Sequence, residues 1–274
     1  MNYRCMKTVN SMWLSDFGVY YERIEYPQNR NEPVLIFLHD SWGCVEMWGD
    51  FPKKMVEITG MNAFLYDRRG YGKSSPFDST QRNKYYLHDE ADELIRIMDR
   101  MNIQKAVLYG HSDGATIALI AAANYPDRFD AIILEGAHSF IEEKGKAAVR
   151  ENRDRARHNS LLQSLRKYHG DKTQELFKRW HETWLSDFFA DWSIIPLLTG
   201  IRCPVLAFRG EKDPYDTEEQ LNVLKKEITA PVTIAIIPEA AHTPRVENKT
   251  VTMGLIKNFT ESIFATGRQD NIDN

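Results

Sequence analysis

The chain has 274 residues, of which 42% are hydrophobic and 27% are charged, with a formal net charge of -4. This composition is that of an ordinary globular protein, and the weak negative charge gives no reason to expect nucleic acid or an anionic membrane as a partner. Neither residues 1–16 nor any other stretch has the apolar length of a signal peptide or a membrane span, so we expect a cytoplasmic protein. Cys5, Cys44 and Cys203 are scattered without CxxC spacing, which predicts reduced thiols and neither disulfides nor a zinc site.

Short apolar runs rich in β-branched residues recur along the chain, and they are continuous rather than alternating. Such runs predict strands covered on both faces, as in a parallel sheet. The predicted strands are residues 34–38, 63–66, 106–109, 131–134, 205–208 and 232–237. Residues 17–26 alternate more and predict an antiparallel edge hairpin.

Segments with helical spacing separate these strands, which indicates an α/β architecture with right-handed crossovers. The predicted helices are residues 48–59, 84–101, 115–124, 217–227 and 249–265. From about residue 139 to 198 the chain is charged and helical, and it is far longer than an ordinary connection. We expect this segment to be a cap over the carboxyl ends of the strands, the alternative being a helical layer on the flank of the sheet. The predicted division is a core of residues 1–138 and 199–268, a helical cap of residues 139–198 and a frayed tail of residues 269–274.

The strongest chemical signal lies in residues 108–116, LYGHSDGAT, which follow an apolar strand and open a helix. Gly110, Ser112 and Gly114 form Gly-x-Ser-x-Gly in the strand–turn–helix context of a nucleophile elbow. The turn is so sharp that it strains the serine, and the two glycines leave room for neighbouring backbone. A helix N-terminus also favours the negative charge that develops as a serine attacks. We therefore predict Ser112 as a nucleophile.

A serine needs a base to remove its proton. Of the eight histidines, His242 lies between the last apolar strand and the final helix, in the order nucleophile, acid, histidine that accompanies such elbows. Asp213 ends the preceding strand and is the predicted acid, which would hold the imidazole in one tautomer. The alternative role for Asp213 is a helix N-cap. The rival acids are Glu211, Asp216 and Glu135.

Stabilising the oxyanion requires two backbone N–H donors. We predict that one is the amide of Asp113, directly after the nucleophile, and the other the amide of Ser41, in the loop after the first parallel strand. His111 and His138 are interpreted as packing or pocket-wall residues, because His242 is the better-placed base.

These motifs together resemble the α/β-hydrolase superfamily, from residue 17 to residue 264. His39-Asp40-Ser41 stands where that superfamily has His-Gly-x; it is followed by residues 66–74, YDRRGYGKS, by the elbow, by the strand end with Asp213 and by His242. The resemblance implies an α/β-hydrolase fold and a Ser-His-Asp triad, with residues 67–74 as a structural turn beneath the site. Asp40 departs from the usual glycine of this loop.

Ser112-Asp113-Gly114 is also similar to the elbow of valacyclovirase-like α-amino-acid ester hydrolases. That resemblance implies that the Asp113 carboxylate helps to bind an ammonium group of the substrate. The alternative is that Asp113 hydrogen-bonds locally and has a structural role.

An unusually aromatic stretch ends the predicted cap. Spacings of four predict that Trp180, Trp184, Phe188 and Trp192 share one helical face and line the pocket. The alternative is that this face packs the cap onto the sheet. The remaining residues predicted to line the pocket are His39, Trp42, Asp113 and His138.

These predictions favour a hydrolase that cleaves a small carboxylic ester, thioester, amide or lactone through an acyl-enzyme, without a metal or another cofactor. One alternative is hydrolysis of a carbon–carbon bond in a ring-cleavage diketone, for which Arg179 or Arg245 would bind the substrate's carboxylate. Another is a ligand-binding protein with slow turnover. The only partner expected is a small-molecule substrate, with no nucleic acid and no membrane, and the chain should be a monomer or a small homo-oligomer.

Overall fold

The computed structural model describes residues 6–14, 16–25, 33–156 and 160–264. Cys5, Tyr26, Ala265 and the predicted frayed tail of residues 269–274 lie outside these ranges. Within the described ranges, no helix is long and apolar enough to cross a membrane.

The core of the molecule is an eight-stranded sheet in the order β1-β2-β4-β3-β5-β6-β7-β8. Its strands are β1 (Met6–Leu14), β2 (Phe17–Glu25), β3 (Val34–Leu38), β4 (Asn62–Tyr66), β5 (Ala106–His111), β6 (Phe129–Glu135), β7 (Val205–Gly210) and β8 (Val232–Ile237). β2 pairs antiparallel with β1 and with β4. The remaining pairs, β4–β3, β3–β5, β5–β6, β6–β7 and β7–β8, are all parallel. The six predicted parallel strands are confirmed. β3 to β7 are buried along nearly their whole length, which accounts for their continuous apolar runs, whereas the edge strand β8 is partly exposed.

The predicted antiparallel hairpin at the sheet edge is present, but residues 17–25 supply only one of its strands. The alternating run forms a single strand, β2, and its hairpin partner is β1, which was not predicted. β1 lies at the edge of the sheet and is exposed along most of its length, so its sequence carries no apolar alternation that would mark it as a strand.

Helices cover both faces of the sheet. They are α1 (Phe51–Thr59), α2 (Tyr86–Arg100), α3 (Asp113–Asn124), α4 (Glu143–Ala156), α5 (Leu161–His169), α6 (Thr173–Trp184), α7 (Glu219–Glu227), α8 (Pro244–Glu247) and α9 (Lys249–Phe264). Apolar side chains of α2, α3 and α7 pack in the core on one face, and those of α1 and α9 pack in the core on the other. All five predicted helices are present, although α1 begins later than expected because residues 45–48 form a 3-10 turn.

The long segment between β6 and β7 contains α4, α5 and α6. It is fastened to loops at the carboxyl ends of the parallel strands. His169, at the end of α5, is 2% exposed; its Nε2 donates to the carbonyl of Trp42 at 2.7 Å, and its Nδ1 accepts the N–H of Gly72 at 2.9 Å. Lys172 donates to three carbonyl groups in the turn after β4. These contacts hold the inserted helices beside the loops that follow β3 and β4.

Candidate functional site

Ser112 lies at the tip of a sharp turn between β5 and α3. Its backbone has φ 54° and ψ −118°, and its N–H donates to the carbonyl of Glu135 at 2.9 Å. A Cβ on Gly110 would overlap the backbone of Gly114, and one on Gly114 would overlap the carbonyl of Leu38. The two glycines therefore let the turn approach the end of β3, which places the strained serine at the carboxyl edge of the sheet.

His242 and Asp213 form a close pair on the loops after β8 and β7. Nδ1 of His242 lies 2.7 Å from Oδ2 of Asp213, and the N–H of Tyr215 donates to Oδ1 of Asp213 at 2.9 Å. Because the carboxylate accepts at Nδ1, the neutral imidazole carries its proton there and leaves Nε2 free to act as a base.

The interaction between the two side chains favours an ionised Asp213 and raises the proton affinity of His242. Burial raises the pKa of Asp213, but the charge of His242 and its hydrogen bond outweigh burial and lower that pKa to about 2. Burial lowers the pKa of His242, but the charge and hydrogen bond of Asp213 outweigh it, so the net shift is upward. The carboxylate therefore makes His242 a stronger base than an isolated buried histidine.

The three rival acids are engaged elsewhere. Asp216 pairs with Arg209 at 2.5 Å, and the exposed Glu211 accepts the N–H of Glu239 at 3.0 Å. Glu135 is fully buried, and its carboxylate lies 2.6 Å from Nη1 of Arg245. Asp213 is the acid that hydrogen-bonds to His242.

Gly136, directly after β6, is a site residue that the sequence analysis missed. Its φ is 61°, and a Cβ there would lie 3.1 Å from Cε1 of His242 and 3.7 Å from Oδ2 of Asp213. The positive φ favours glycine, and a Cβ there would crowd the imidazole of His242. The available signal was a glycine directly after a predicted strand at the edge that carries the elbow.

A cavity of about 380 Å³ opens beside Ser112 and His242. Four of the predicted pocket residues, Trp42, His138, Trp180 and Trp184, line it, as does Ser41. The ring centroids of Trp42 and Trp180 lie 4.5 Å apart, and those of His138 and Trp184 lie 5.2 Å apart. Burial lowers the pKa of His138 to about 4, so its ring is neutral at pH 7. The remaining wall is contributed by Asp40, Met47, His111, Gly145, Val149, Tyr215, Thr243, Arg245 and Val246.

His39 and Asp113 do not line this cavity, although both were predicted to do so. The His39 ring packs against Tyr71 at a tilt, with centroids 4.8 Å apart, and its Nε2 accepts the N–H of Arg68. The Asp113 side chain is fully buried and faces the hydroxyl of Tyr86, 3.4 Å from Oδ2. Asp113 is the first residue of α3, and its carboxylate lies in the interior beside Tyr86 of α2 rather than in the cavity wall. Its backbone N–H is one of the first-turn amides that have no acceptor within the helix.

Phe188 and Trp192 also do not line the cavity. The predicted helical face ends at Trp184 because α6 ends there, and residues 187–189 form a 3-10 turn. Phe188 is 44% exposed, whereas Trp192 is buried and stacks on Phe189 with centroids 5.0 Å apart. Spacing of four implies a common face only while one helix continues.

The charged groups in the cavity wall are paired. Arg245 is 8% exposed and binds Glu135, while Asp40 lies 3.2 Å from the ring of His111. Arg179, the other arginine considered for a substrate carboxylate, lies away from the cavity and binds Glu175 and two backbone carbonyls.

A family model for the alpha/beta hydrolase fold matches residues 33–150. The chain is 28% identical over 188 residues to the serine hydrolase BPHL of Homo sapiens, a match that covers 65% of this chain and 62% of the human protein, less than two thirds of its length. It is 25% identical over 237 residues to the serine hydrolase BPHL of Mus musculus, covering 82% of this chain and 76% of that protein.

A solved structure has the same fold over nearly the whole chain. The 2-hydroxy-6-oxo-6-phenylhexa-2,4-dienoate hydrolase from Rhodococcus sp. strain RHA1 superimposes with a TM-score of 0.79 at 14% identity, covering 96% of this chain and 100% of that one. The sheet order, the elbow between β5 and α3 and these similarities agree. This chain has the α/β-hydrolase fold.

Proposed function

We propose that this protein is a serine hydrolase that cleaves small, neutral carboxylic esters through an acyl-enzyme, with thioesters, amides and lactones as related substrates. The observation that carries the proposal is that His242, which lies 2.7 Å from Asp213, lines the same cavity as the strained Ser112. The relatives named serine hydrolases support the same class of chemistry.

In the proposed reaction, Nε2 of His242 accepts the proton of Ser112 as Oγ attacks the carbonyl carbon. The amides of Ser41 and Asp113 donate to the resulting oxyanion. His242 then gives the proton to the leaving group, and the carbonyl re-forms as an acyl-serine. Water repeats the sequence, with His242 first accepting its proton, and this step releases the acid and restores Ser112. Asp213 stays ionised and stabilises the imidazolium.

The preference for neutral substrates follows from the pairing of the charges around the cavity. Glu135 offsets the charge of Arg245. Among the described residues, the cavity wall therefore offers a substrate carboxylate no unpaired cation, which the carbon–carbon hydrolase alternative would require. The Asp113 carboxylate is not in the wall, so an ammonium group gains no partner there. The tryptophan rings instead suit an alkyl or aromatic group.

The inserted helices contribute to substrate binding in this proposal. Trp180 and Trp184 from α6 and Val149 from α4 line the cavity that holds Ser112. We therefore propose that residues 139–198 act as the cap of the site, as the sequence predicts.

Hydrolysis of matched benzyl esters tests the proposal. The acyl groups are propionyl, alanyl and succinyl, which at pH 7.0 are neutral, largely cationic and anionic. We expect the neutral ester to have the highest kcat/KM by about tenfold or more, because an unpaired charge in a partly buried cavity costs more than about 1.4 kcal/mol. Asp113→Asn should leave the ratio of alanyl to propionyl ester unchanged, and Ser112→Ala should abolish turnover.

Preference for the alanyl ester that disappears in Asp113→Asn would contradict the neutral-substrate assignment. A stoichiometric burst of benzyl alcohol without later turnover would favour the slow ligand-binding alternative. Retention of activity in Ser112→Ala would contradict the nucleophile itself.

A further inference from the structure

His111, the residue before the nucleophile, has an acceptor at each of its ring nitrogens. Its Nε2 lies 2.8 Å from the carbonyl oxygen of His242, and its Nδ1 lies 3.2 Å from Oδ2 of Asp40. The residue is 3% exposed. These contacts join three separate segments: the elbow, the loop after β3 and the loop after β8.

The two acceptors determine the protonation state of the ring. A carbonyl oxygen can only accept, so Nε2 must carry a proton. In a neutral ring protonated at Nε2, the lone pair of Nδ1 would face a carboxylate oxygen of Asp40, and neither atom could donate a hydrogen bond. Only a doubly protonated imidazolium donates to both partners, and it also offsets the charge of Asp40.

Other charged and titratable groups surround His111. The His242 ring lies on one side, with centroids 5.1 Å apart, and His138 and Glu135 are within electrostatic range. Glu135 is bound by Arg245, and the carboxylate that hydrogen-bonds to the His111 ring is that of Asp40. Burial raises the pKa of Asp40, but the hydrogen bond and charge of His111 outweigh it and hold that pKa well below its usual range.

Asp40 also shapes the loop that contains Ser41. Its Oδ1 accepts the N–H of Trp42 at 2.8 Å, so the same carboxylate binds the loop and the His111 ring. A Cβ on Gly43 would lie 2.7 Å from Oδ2 of Asp40, so the carboxylate can fold back over the loop because residue 43 is glycine.

We propose that Asp40 and an imidazolium at His111 form a positioning pair that sets the loop of Ser41 and the loop of His242 relative to Ser112. This inference rests on the proposed hydrolase function. The pair does not touch the reacting atoms; it acts through the amide of Ser41 and the backbone of His242. Catalytic groups must be held within about 0.5 Å of their productive positions. Loss of the pair would displace the Ser41 amide and the His242 backbone, so it should lower kcat more than it changes KM.

The test combines ring-nitrogen NMR with kinetics. In the free wild-type protein at pH 7.5, both ring nitrogens of His111 should be protonated, with the signals assigned by their loss in His111→Asn. In Asp40→Asn the amide can accept from Trp42 and donate to Nδ1, so we expect a neutral His111 ring protonated at Nε2 and a kcat that falls less than in Asp40→Ala. Asp40→Ala removes both contacts and should lower kcat about 10- to 100-fold, with KM changed by no more than about twofold.

The matched control is Asp127→Ala, an exposed carboxylate on the turn before β6, which should leave both readouts unchanged. A neutral His111 ring in the wild type would overturn the inference, and so would equal kcat values in Asp40→Ala and the wild type. Because the NMR readout needs no turnover, a doubly protonated ring in a protein without esterase activity would reject the proposed function while retaining the ion pair.

Discussion

Glu135 and Arg245 form a buried ion pair beside the candidate site, and we expect the Glu135 carboxylate to be structural. The Glu135 carboxylate accepts three hydrogen bonds, from the backbone N–H of Arg245 at 2.8 Å, from Nη1 of Arg245 at 2.6 Å and from the hydroxyl of Tyr109 at 2.9 Å. In Glu135→Gln, an NH₂ group replaces one oxygen, and the buried guanidinium of Arg245 loses the negative charge that offsets its own.

Breaking such a pair from one side costs about 3–5 kcal/mol, a large share of the roughly 5–15 kcal/mol that stabilises a native domain. Burial raises the pKa of Glu135, but the charge of Arg245 outweighs it and holds that pKa below its ordinary value. The pair therefore stabilises the fold at neutral pH, and its contribution is lost as the pH falls through the lowered pKa.

Urea unfolding at pH 7.5 measures this loss directly. We expect Glu135→Gln to lower the free energy of unfolding by about 3–5 kcal/mol and the folded enzyme to keep kcat within about tenfold of wild type, since Glu135 does not touch His242. The matched control is Glu211→Gln, an exposed rival acid, with an expected change of less than about 0.5 kcal/mol. A fully stable Glu135→Gln protein with activity as low as that of Asp213→Asn would refute the reasoning.

Asp213→Asn should lower kcat by about 10⁴-fold while the protein stays folded, because the imidazole loses its orienting acceptor; steady-state ester hydrolysis measures this, and a loss below tenfold would contradict the role. In the wild type, kcat/KM should fall as the pH drops through the raised pKa of His242, since the base must be neutral to accept a proton, and in Asp213→Asn this fall should move to lower pH. A pH–rate profile that is identical in the two proteins would exclude the pair as its origin. Gly136→Ala should lower kcat/KM by about 10²-fold, because its Cβ would lie 3.1 Å from the His242 ring and its φ of 61° disfavours alanine; unchanged kinetics would show that the loop adapts without cost.

Features encoded in short, continuous stretches could be predicted from the sequence. The parallel strands from β3 to β7 are buried on both faces and so appear as apolar runs. The elbow combines its strand, glycines and helix within nine residues. His242 and Asp213 could be placed because each lies in the loop after a strand, and parallel strands bring their carboxyl ends to one edge of the sheet.

Features that depend on side-chain direction or on distant partners could not be predicted. The end of α6 at Trp184 removed Phe188 and Trp192 from the predicted face, and nothing local in the aromatic spacing marks that end. Asp113 follows Ser112, yet its carboxylate is buried in the interior and faces the hydroxyl of Tyr86. Gly136 and Asp40 act through contacts with residues far away in the chain.

Covalent labelling with a fluorophosphonate tests most directly the claim that His242 activates Ser112. The reagent phosphonylates an activated serine as fluoride leaves, and intact-mass measurement followed by peptide mapping locates the adduct. We expect one adduct per wild-type chain on Ser112, none in Ser112→Ala, and labelling slowed by about 10²-fold or more in His242→Ala. An adduct on another residue, or an equal labelling rate in His242→Ala, would contradict the claim.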